Sequence, residues 1–172
     1  MNSQLFNRRQ FSLTLTSFLS GLGLSANALA SGGGPGSDEI SRIEEAIHQE
    51  VVLKASRKRV YEALTDADQF GKATGVEGSK ISREVGGAFS LFGGQIEGRH
   101  VELVPSTRIV QAWRPSAWEN GKYSIARFEF KDEGTGTKII FDHTGFPKGQ
   151  AEHLATGWKE HYWDSLARYF GE

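Results

Sequence analysis

Apolar and polar residues alternate with a period of two through the middle of this chain, between Gly86 and Arg114. This period is typical of strands that bury one face and expose the other. The strands predicted in this window cover residues 88–92, 95–104 and 108–114. Gly93-Gly94 predicts a two-residue hairpin turn after the first strand, and the Pro105-Ser106-Thr107 segment predicts a turn after the second. We therefore expect an antiparallel meander.

Further elements flank the meander. The pattern predicts strands at 50–53, 80–84, 123–131 and 137–144, a helix at 57–64 capped by Ser56, a short helix at 68–72, and a long helix at 151–170. The three glycines between Gly71 and Ser79 indicate a loop. This order of elements favours an α+β fold in which one antiparallel sheet packs around one long C-terminal helix.

The alternation also assigns side chains to faces. The interior residues expected from the three best-defined strands are Ile109, Gln111, Trp113, Ala126, Phe128, Phe130, Ile139, Phe141 and His143. We expect Val101 and Leu103 inside as well, with His100, Glu102 and Arg114 facing water. On the last helix the buried stripe comprises Leu154, Trp158, Tyr162, Ser165, Leu166 and Tyr169.

An aromatic-rich sheet face thus meets an aromatic-rich helix face, and these residues either fill a core or line a pocket. The candidate ligand-binding residues are Gln111, Trp113, Phe128, Phe130, Phe141, His143, Leu154, Trp158 and Tyr162. His143 is either an oriented ligand contact or a histidine satisfied within the core by backbone or a tyrosine hydroxyl. Trp163 and Phe170 are expected on the helix side away from the sheet, where they contact a protein partner or pack under residues 40–47.

Three strings of residues carry a family resemblance: GGAFSLFGGQIEGRHVELVPSTRIVQAWR from Gly86, GFPKG from Gly145, and the closing glycine and aromatics at 157, 158, 162 and 163. Together they resemble the AHSA-type (activator of heat shock protein 90 ATPase homologue) domain of the START/SRPBCC helix-grip superfamily. The resemblance covers about residues 48–171. It implies a curved sheet gripping the C-terminal helix, with residues 71–79 as one lip of a cavity. It also implies either binding of a small apolar ligand or a chaperone-accessory role.

The N-terminus has the features of an export signal. Asn7-Arg8-Arg9-Gln10-Phe11 resembles a twin-arginine motif, residues 13–24 are mildly apolar, and Ala28-Leu29-Ala30 fits a signal-peptidase site. We expect a signal peptide at 1–30 cut after Ala30, a flexible tether and leader at 31–47, and the domain at 48–172. The apolar stretch is too short for the ~20 residues that span a bilayer. The expected location is therefore periplasmic or secreted, without a stable membrane anchor after cleavage.

Charge and spacing argue against several other kinds of chemistry. The net charge of −1 does not favour nucleic acid, and the absence of cysteine leaves no disulfide. His153 and His161 are over ~10 Å apart on a helix, too far to share a metal. Asp142 and His143 point to opposite faces of a strand. We expect no metal, cofactor or catalytic residue. Three classes remain open: a non-catalytic ligand-binding domain, a chaperone-accessory protein, and a cyclase-like cavity enzyme that uses His143.

Overall fold

A computed structural model describes residues 45–171. The predicted signal peptide and nearly all of the predicted tether lie outside the described residues. The elements, in chain order, are β1 (Ile47–Leu53), α1 (Arg57–Thr65), α2 (Ala67–Thr74), β2 (Lys80–Ile81), β3 (Ala88–Leu91), a 3₁₀ turn (Phe92–Gly94), β4 (Ile96–Val104), β5 (Arg108–Pro115), β6 (Ser124–Glu133), β7 (Gly136–Thr144), α3 (Ala151–Gly157), a π-helical turn (Trp158–Trp163) and α4 (Asp164–Phe170).

The strands form one curved sheet in the order β1-β7-β6-β5-β4-β3-β2. Every neighbouring pair is antiparallel. From β2 to β7 the chain runs as an uninterrupted meander, and β1 completes the sheet beside β7. The α+β helix-grip fold predicted from the sequence is confirmed, because the helix at residues 151–170 packs on the inner face of this sheet.

Two short helices connect β1 to β2. Ser56 caps α1 as predicted, since its hydroxyl accepts a hydrogen bond from the Arg59 backbone N–H. Asp66 ends α1 and also begins α2, where its carboxylate accepts from the Gln69 N–H at 3.0 Å. The second helix is longer than predicted and continues to Thr74, and Gly75 closes it in the left-handed conformation at φ 72°.

The turn after β3 differs from the predicted two-residue hairpin. Phe92, Gly93 and Gly94 form a 3₁₀ turn, so the strand ends at Leu91 and not at Phe92. All three residues have positive φ, and Phe92 does so at 52° although it carries a side chain. This conformation costs a non-glycine residue ~1–3 kcal/mol and persists only where the surroundings hold it.

A β-bulge in β4 explains an error in the predicted faces. His100 pairs with Gln111 and Glu102 with Val110, so Val101 is an extra residue without a partner across the strands. His100 is consequently buried, and Val101 is 51% exposed, the reverse of the prediction. Leu103 pairs with Ile109 and returns to the inner face as predicted.

The helix at residues 151–170, here called the C-terminal helix, contains a π-helical turn that the sequence pattern did not predict. The Asp164 N–H donates to the Lys159 carbonyl five residues earlier. The extra residue in this turn brings Trp163 onto the same face as Trp158, and their rings stack with centroids 5.9 Å apart. Trp163 is therefore buried, and the prediction that it faces away from the sheet is wrong. Phe170 is partly buried and lies under the Arg59 guanidinium.

The interior is filled by aromatic side chains from both layers. Trp158 is the centre of this cluster, with ring centroids 4.4 Å from Phe141, 5.3 Å from Trp113 and 5.7 Å from Phe128. The inner faces predicted for β5, β6 and β7 are all buried. None of the helices within residues 45–171 is both long and apolar enough to cross a membrane.

Candidate ligand-binding pocket

A pocket of about 590 Å³ opens where the C-terminal helix crosses one end of the sheet. The turn after β3, the paired ends of β4 and β5, the segment after β5 and the loop after α2 form the rest of its wall. The lining residues, most of them apolar, are Val76, Phe92, Gln95, Ile96, Trp113, Pro115, Ser116, Ala117, His153, Leu154, Gly157, Trp158, His161 and Tyr162.

The strained Phe92 is held at the rim by aromatic packing. Its ring makes edge-to-face contacts with Phe70 and Tyr162, at centroid distances of 5.4 and 5.3 Å. Such pairs contribute ~0.5–1.5 kcal/mol each beyond the area they bury, enough to offset a positive φ. The left-handed backbone thus places an aromatic ring between α2 and the C-terminal helix and fixes one side of the pocket.

The helix wall has a gap at Gly157. Its φ of −60° is ordinary helical backbone, so no conformational need explains a glycine there. A Cβ built at this position meets no atom within 4 Å. His153 and His161, one turn away on either side, are exposed at the rim. The missing side chain therefore leaves space that belongs to the pocket.

Trp113 and Tyr162 each bury a polar group behind the pocket surface, the indole N–H and the phenol hydroxyl, and neither group forms a well-aligned hydrogen bond within residues 45–171. Both residues are more than nine-tenths buried. Burial raises the pKa of Tyr162 far above its ordinary value, because the phenolate would have to form out of water. A side-chain hydrogen bond with the Trp113 indole lowers the pKa of Tyr162 and opposes this rise. The hydroxyl stays protonated.

His143 belongs to a hydrogen-bonded chain in the core. Its Nδ1 accepts from Trp158 Nε1–H at 2.9 Å, so its Nε2 carries the proton and donates to Ser124 Oγ at 2.7 Å. Ser124 in turn donates to the Trp113 carbonyl at 2.9 Å. Burial lowers the pKa of His143 to about 4, which keeps the imidazole neutral. Both ring nitrogens are engaged by the protein, as in the expectation of a histidine satisfied within the core, although its partners are a tryptophan and a serine.

Arg114 anchors the segment that closes one side of the pocket. It lies on the outer face as predicted, but it is buried and not in water, because the loop after β5 folds over it. Its guanidinium donates to the carbonyls of Ser116 and Trp118 and to Glu97 at 3.3 Å. Trp118 then packs edge-on against Trp113 at 6.0 Å. One buried cation thereby fixes the position of the residues 115–118 beside the pocket.

The structure separates the nine candidate residues into two groups. Trp113, Leu154, Trp158 and Tyr162 lie together in the pocket wall. The remaining candidates are buried but are not among the residues that line the pocket: Gln111, Phe128, Phe130, Phe141 and His143. They were proposed because they share the inner face, and this face extends well beyond the pocket under the packed part of the helix.

Sequence reasoning missed the turn and loop residues of the wall, such as Phe92, Gln95 and Ala117. Periodicity does not apply to turns, so these positions carried no signal. Gly157 did carry a signal in the sequence. A glycine inside a helix lowers its stability by ~1 kcal/mol relative to alanine, so its presence indicates a packing or functional reason. No group of three or more potential metal ligands lies close together within residues 45–171.

A curved antiparallel sheet that grips a long C-terminal helix, with an apolar pocket between them, defines a helix-grip domain. The chain belongs to the family described as activator of Hsp90 ATPase homolog 1-like protein, whose model matches residues 54–171.

Relatives of known name support this membership. The human activator of 90 kDa heat shock protein ATPase homolog 1 is 29% identical over 91 residues, which are 53% of this chain and 27% of the human protein. The Dictyostelium discoideum homolog is 36% identical over 52% of this chain and 24% of its own length. The chain thus spans about a quarter of these curated relatives.

Solved structures show the same fold. An HSP90 activator from Plasmodium falciparum superposes with a TM-score of 0.69 at 24% identity, covering 73% of this chain and 96% of the other. The Aha1 dimer from Colwellia psychrerythraea gives a TM-score of 0.61 at 20% identity, covering 74% and 99%.

Proposed function

We propose that this protein is an exported, non-catalytic domain that binds a small apolar molecule in the pocket between the sheet and the C-terminal helix. The observation that carries the proposal is the pocket itself. It is largely apolar, and its volume of about 590 Å³ lies within the ~300–1,000 Å³ usual for ligand sites. It lies beside the buried aromatic cluster around Trp158 and shares Trp113, Trp158 and Tyr162 with it, so binding requires no opening of that cluster.

Gly157 provides a test that leaves the core intact. Leucine at this position projects into the space that the glycine leaves, whereas alanine adds only one methyl group. We expect N-phenylnaphthylamine, an uncharged fluorescent probe, to bind the wild type and Gly157→Ala with similar affinity. Gly157→Leu should bind at least about tenfold more weakly, since losing one good apolar contact surface costs ~1.4 kcal/mol or more.

The melting temperature of each variant is the control for folding. A Gly157→Leu protein that remains folded and binds the probe as well as Gly157→Ala contradicts the proposed site. A wild type that does not bind the probe contradicts the proposed function, because a preformed apolar pocket should accept an uncharged aromatic molecule.

Catalysis by His143 is not supported by its surroundings. The ring lies outside the pocket lining, and its two nitrogens bond to Trp158 and Ser124. A general acid or base must reach the proton it transfers. This removes the acid–base group on which the cyclase-like alternative depended.

A chaperone-accessory role is the second candidate, because the matched relatives carry the name of heat shock protein 90 ATPase activators. The mature chain should be added to a purified Hsp90-type chaperone and ATP hydrolysis followed. Stimulation that Gly157→Leu retains would favour this role and show that it is independent of the pocket. If the protein is a ligand carrier, we expect the ATPase rate to stay at its basal value.

Export is supported by the twin-arginine-like motif at Arg8 and Arg9 and by the cleavage signal ending at Ala30. Changing both arginines to lysine should leave the uncut precursor in the cytoplasm, whereas the wild type is recovered in the periplasm, cut after Ala30. Normal processing of the double variant contradicts the assignment.

A further inference from the structure

The polar groups that a ligand can reach in the pocket stand at its mouth. The buried part of the lining consists of Trp113, Leu154, Trp158 and Tyr162. The exposed polar residues of the lining are Gln95, Ser116, His153 and His161. A ligand that fits both parts has an apolar body, which lies inside, and a polar group at one end, which remains near water.

The mouth has a definite charge preference. No aspartate, glutamate, lysine or arginine belongs to the lining, so the side chains at the mouth that can become charged are the imidazoles of His153 and His161. A protonated imidazole is a cation, and histidine is the side chain that ordinarily takes up this proton between pH 5 and 8. The mouth therefore favours a negatively charged group on the ligand over a positively charged one.

Both imidazoles are available to a ligand. Within residues 45–171, the histidines that bond to other side chains are His48 and His143, and the ion pairs made by a histidine belong to His48. His161 instead packs its exposed ring beside Phe92, with the ring centroids 6.1 Å apart. Neither imidazole at the mouth is therefore already paired with a carboxylate of these residues.

The other charged groups around the mouth leave His161 unpaired. The charged residues beside it on the helix, and beside Val76 in the loop after α2, are Lys159, Glu160, Asp164 and Glu77. Lys159 and Asp164 form an ion pair with each other at 2.8 Å. Glu160 and Glu77 are exposed, lie outside the lining and form no ion pair with His161. None of these groups is a counter-ion that an acidic ligand would have to displace.

His161 is better placed than His153 to meet a ligand over the gap at Gly157. Side chains on a helix tilt towards its N-terminus and cover the preceding turn. His161 therefore leans over Gly157, which has no side chain to separate the imidazole from the pocket, and His153 leans away from that gap.

We infer that the pocket selects amphiphilic acids, with a carboxylate that binds the His161 imidazole at the mouth and an apolar body that lies along Gly157 and Leu154 against Trp158. The inference rests on the proposed ligand-binding function and specifies the ligand class for the same site. The carboxylate accepts a charge-assisted hydrogen bond from the imidazolium. Because it stays at the exposed mouth, it keeps most of the hydration that a buried charge would lose.

Two probes of nearly equal shape test the inference. Naphthylacetate carries a carboxylate, and naphthylacetamide has an uncharged amide in its place. Titration calorimetry on the mature protein at pH 6 should show the acid binding about fivefold more tightly than the amide, the ratio expected of an ion pair at an exposed site. Raising the salt concentration should reduce this ratio, because exposed charges are screened.

His161→Gln removes the charge and keeps a polar side chain. This variant should bind the two probes with affinities within about twofold of each other. His153→Gln is the matched control, because it makes the same change at the other histidine of the mouth, and it should keep the acid preference of the wild type. N-phenylnaphthylamine, which is uncharged, should bind both variants as it binds the wild type and thereby show that the pocket is intact.

The outcomes separate this inference from the proposed function. Equal affinity for acid and amide in the wild type overturns the acid preference, as does failure of the acid to bind. A preference that survives in His161→Gln, or that is lost in His153→Gln alone, also overturns it. In each of these cases the binding of N-phenylnaphthylamine leaves the proposed function standing. If that probe does not bind either, the proposed function and the inference fail together.

Discussion

At the scale of single residues, His143 shows how a polar side chain can hold a helix to a sheet. It accepts from Trp158 on the C-terminal helix and donates to Ser124 on β6, while itself lying on β7. Three elements are thus joined by one imidazole that satisfies both of its nitrogens. A buried polar network that is fully satisfied favours one arrangement of its elements over near alternatives.

The buried, neutral state of His143 predicts an acid-sensitive fold. Its pKa is about 4 in the folded protein and about 6.5 when unfolded, so the unfolded chain binds more protons between these values. The stability is therefore complete above pH 6.5 and falls as the pH decreases towards 4, by on the order of 3 kcal/mol. His100, whose pKa is also lowered by burial, adds to this loss. His48, whose pKa is raised by its hydrogen bond to Asp142, opposes it.

Urea unfolding at pH 7 and pH 4.5 measures this dependence. Glutamine at position 143 can accept from the Trp158 indole and donate to Ser124 but does not titrate in this range. We expect His143→Gln to flatten the pH dependence, and His153→Gln, at an exposed position, to leave it as in the wild type. Equal pH profiles for the wild type and His143→Gln would contradict the assignment.

Trp158 is the residue whose truncation should matter most. Its ring touches those of Phe141, Trp113 and Tyr162, with centroids between 4.2 and 5.3 Å away, and its indole N–H satisfies His143. It lies in a packed core although one part of it borders the pocket. We expect Trp158→Ala to lower the free energy of unfolding by about 3–5 kcal/mol.

Trp118→Ala is the control variant, because it removes the same side chain from a position outside the centre of the core. Trp118 is partly buried in the loop after β5 and packs edge-to-face against the Trp113 ring. Its removal should cost about 1 kcal/mol, the centre of the range for ordinary substitutions. Similar losses for the two variants in denaturant titrations would mean that Trp158 is not the centre of the core.

At the scale of elements, the departures from the predicted pattern have identifiable causes. The helical stripe was derived from 3.6 residues per turn, which puts Trp163 on the far side from Trp158. The π-helical turn changes this phase, and nothing in the residue pattern signals where a helix takes up an extra residue. The bulge at Val101 likewise inserts one residue into β4 and so changes which side chains before it face inwards. Elements of regular phase, such as β6 and β7, were predicted correctly.

Two glycines in different elements should respond in opposite ways to the same substitution. A Cβ at Gly98 in β4 would lie 2.2 Å from the Ala112 carbonyl oxygen and 2.3 Å from the Phe89 ring, so Gly98→Ala should destabilise by about 1–3 kcal/mol. Gly157 in α3 has open space, and Gly157→Ala should stabilise by about 0.5–1 kcal/mol. Melting temperatures that shift in the same direction for both variants would contradict the close contacts at Gly98 or the open space at Gly157.

At the scale of the whole molecule, the alternation of apolar and polar residues was enough to predict the sheet and its packing around the C-terminal helix. A period of two decides which face of each strand is buried. The same alternation did not predict where the pocket lies or which residues line it. The wall depends on where the turn after β3, the loop after α2 and the segment at Pro115 approach the helix. These positions follow from strand lengths, the strained Phe92 and the anchoring by Arg114, none of which appears as a repeating pattern.

Because the wall is assembled from distant parts of the chain, a ligand should bind the folded protein and not the unfolded one. Such a ligand stabilises the fold by RT ln(1 + [L]/Kd), which is about 2.7 kcal/mol at a hundredfold excess over Kd. N-phenylnaphthylamine should therefore raise the melting temperature of the wild type and of Gly157→Ala by several degrees, and the rise should increase with concentration. Gly157→Leu should show little or no rise, since the leucine occupies the space the ligand needs. A rise of equal size in Gly157→Leu would place the ligand outside this pocket, whatever its affinity.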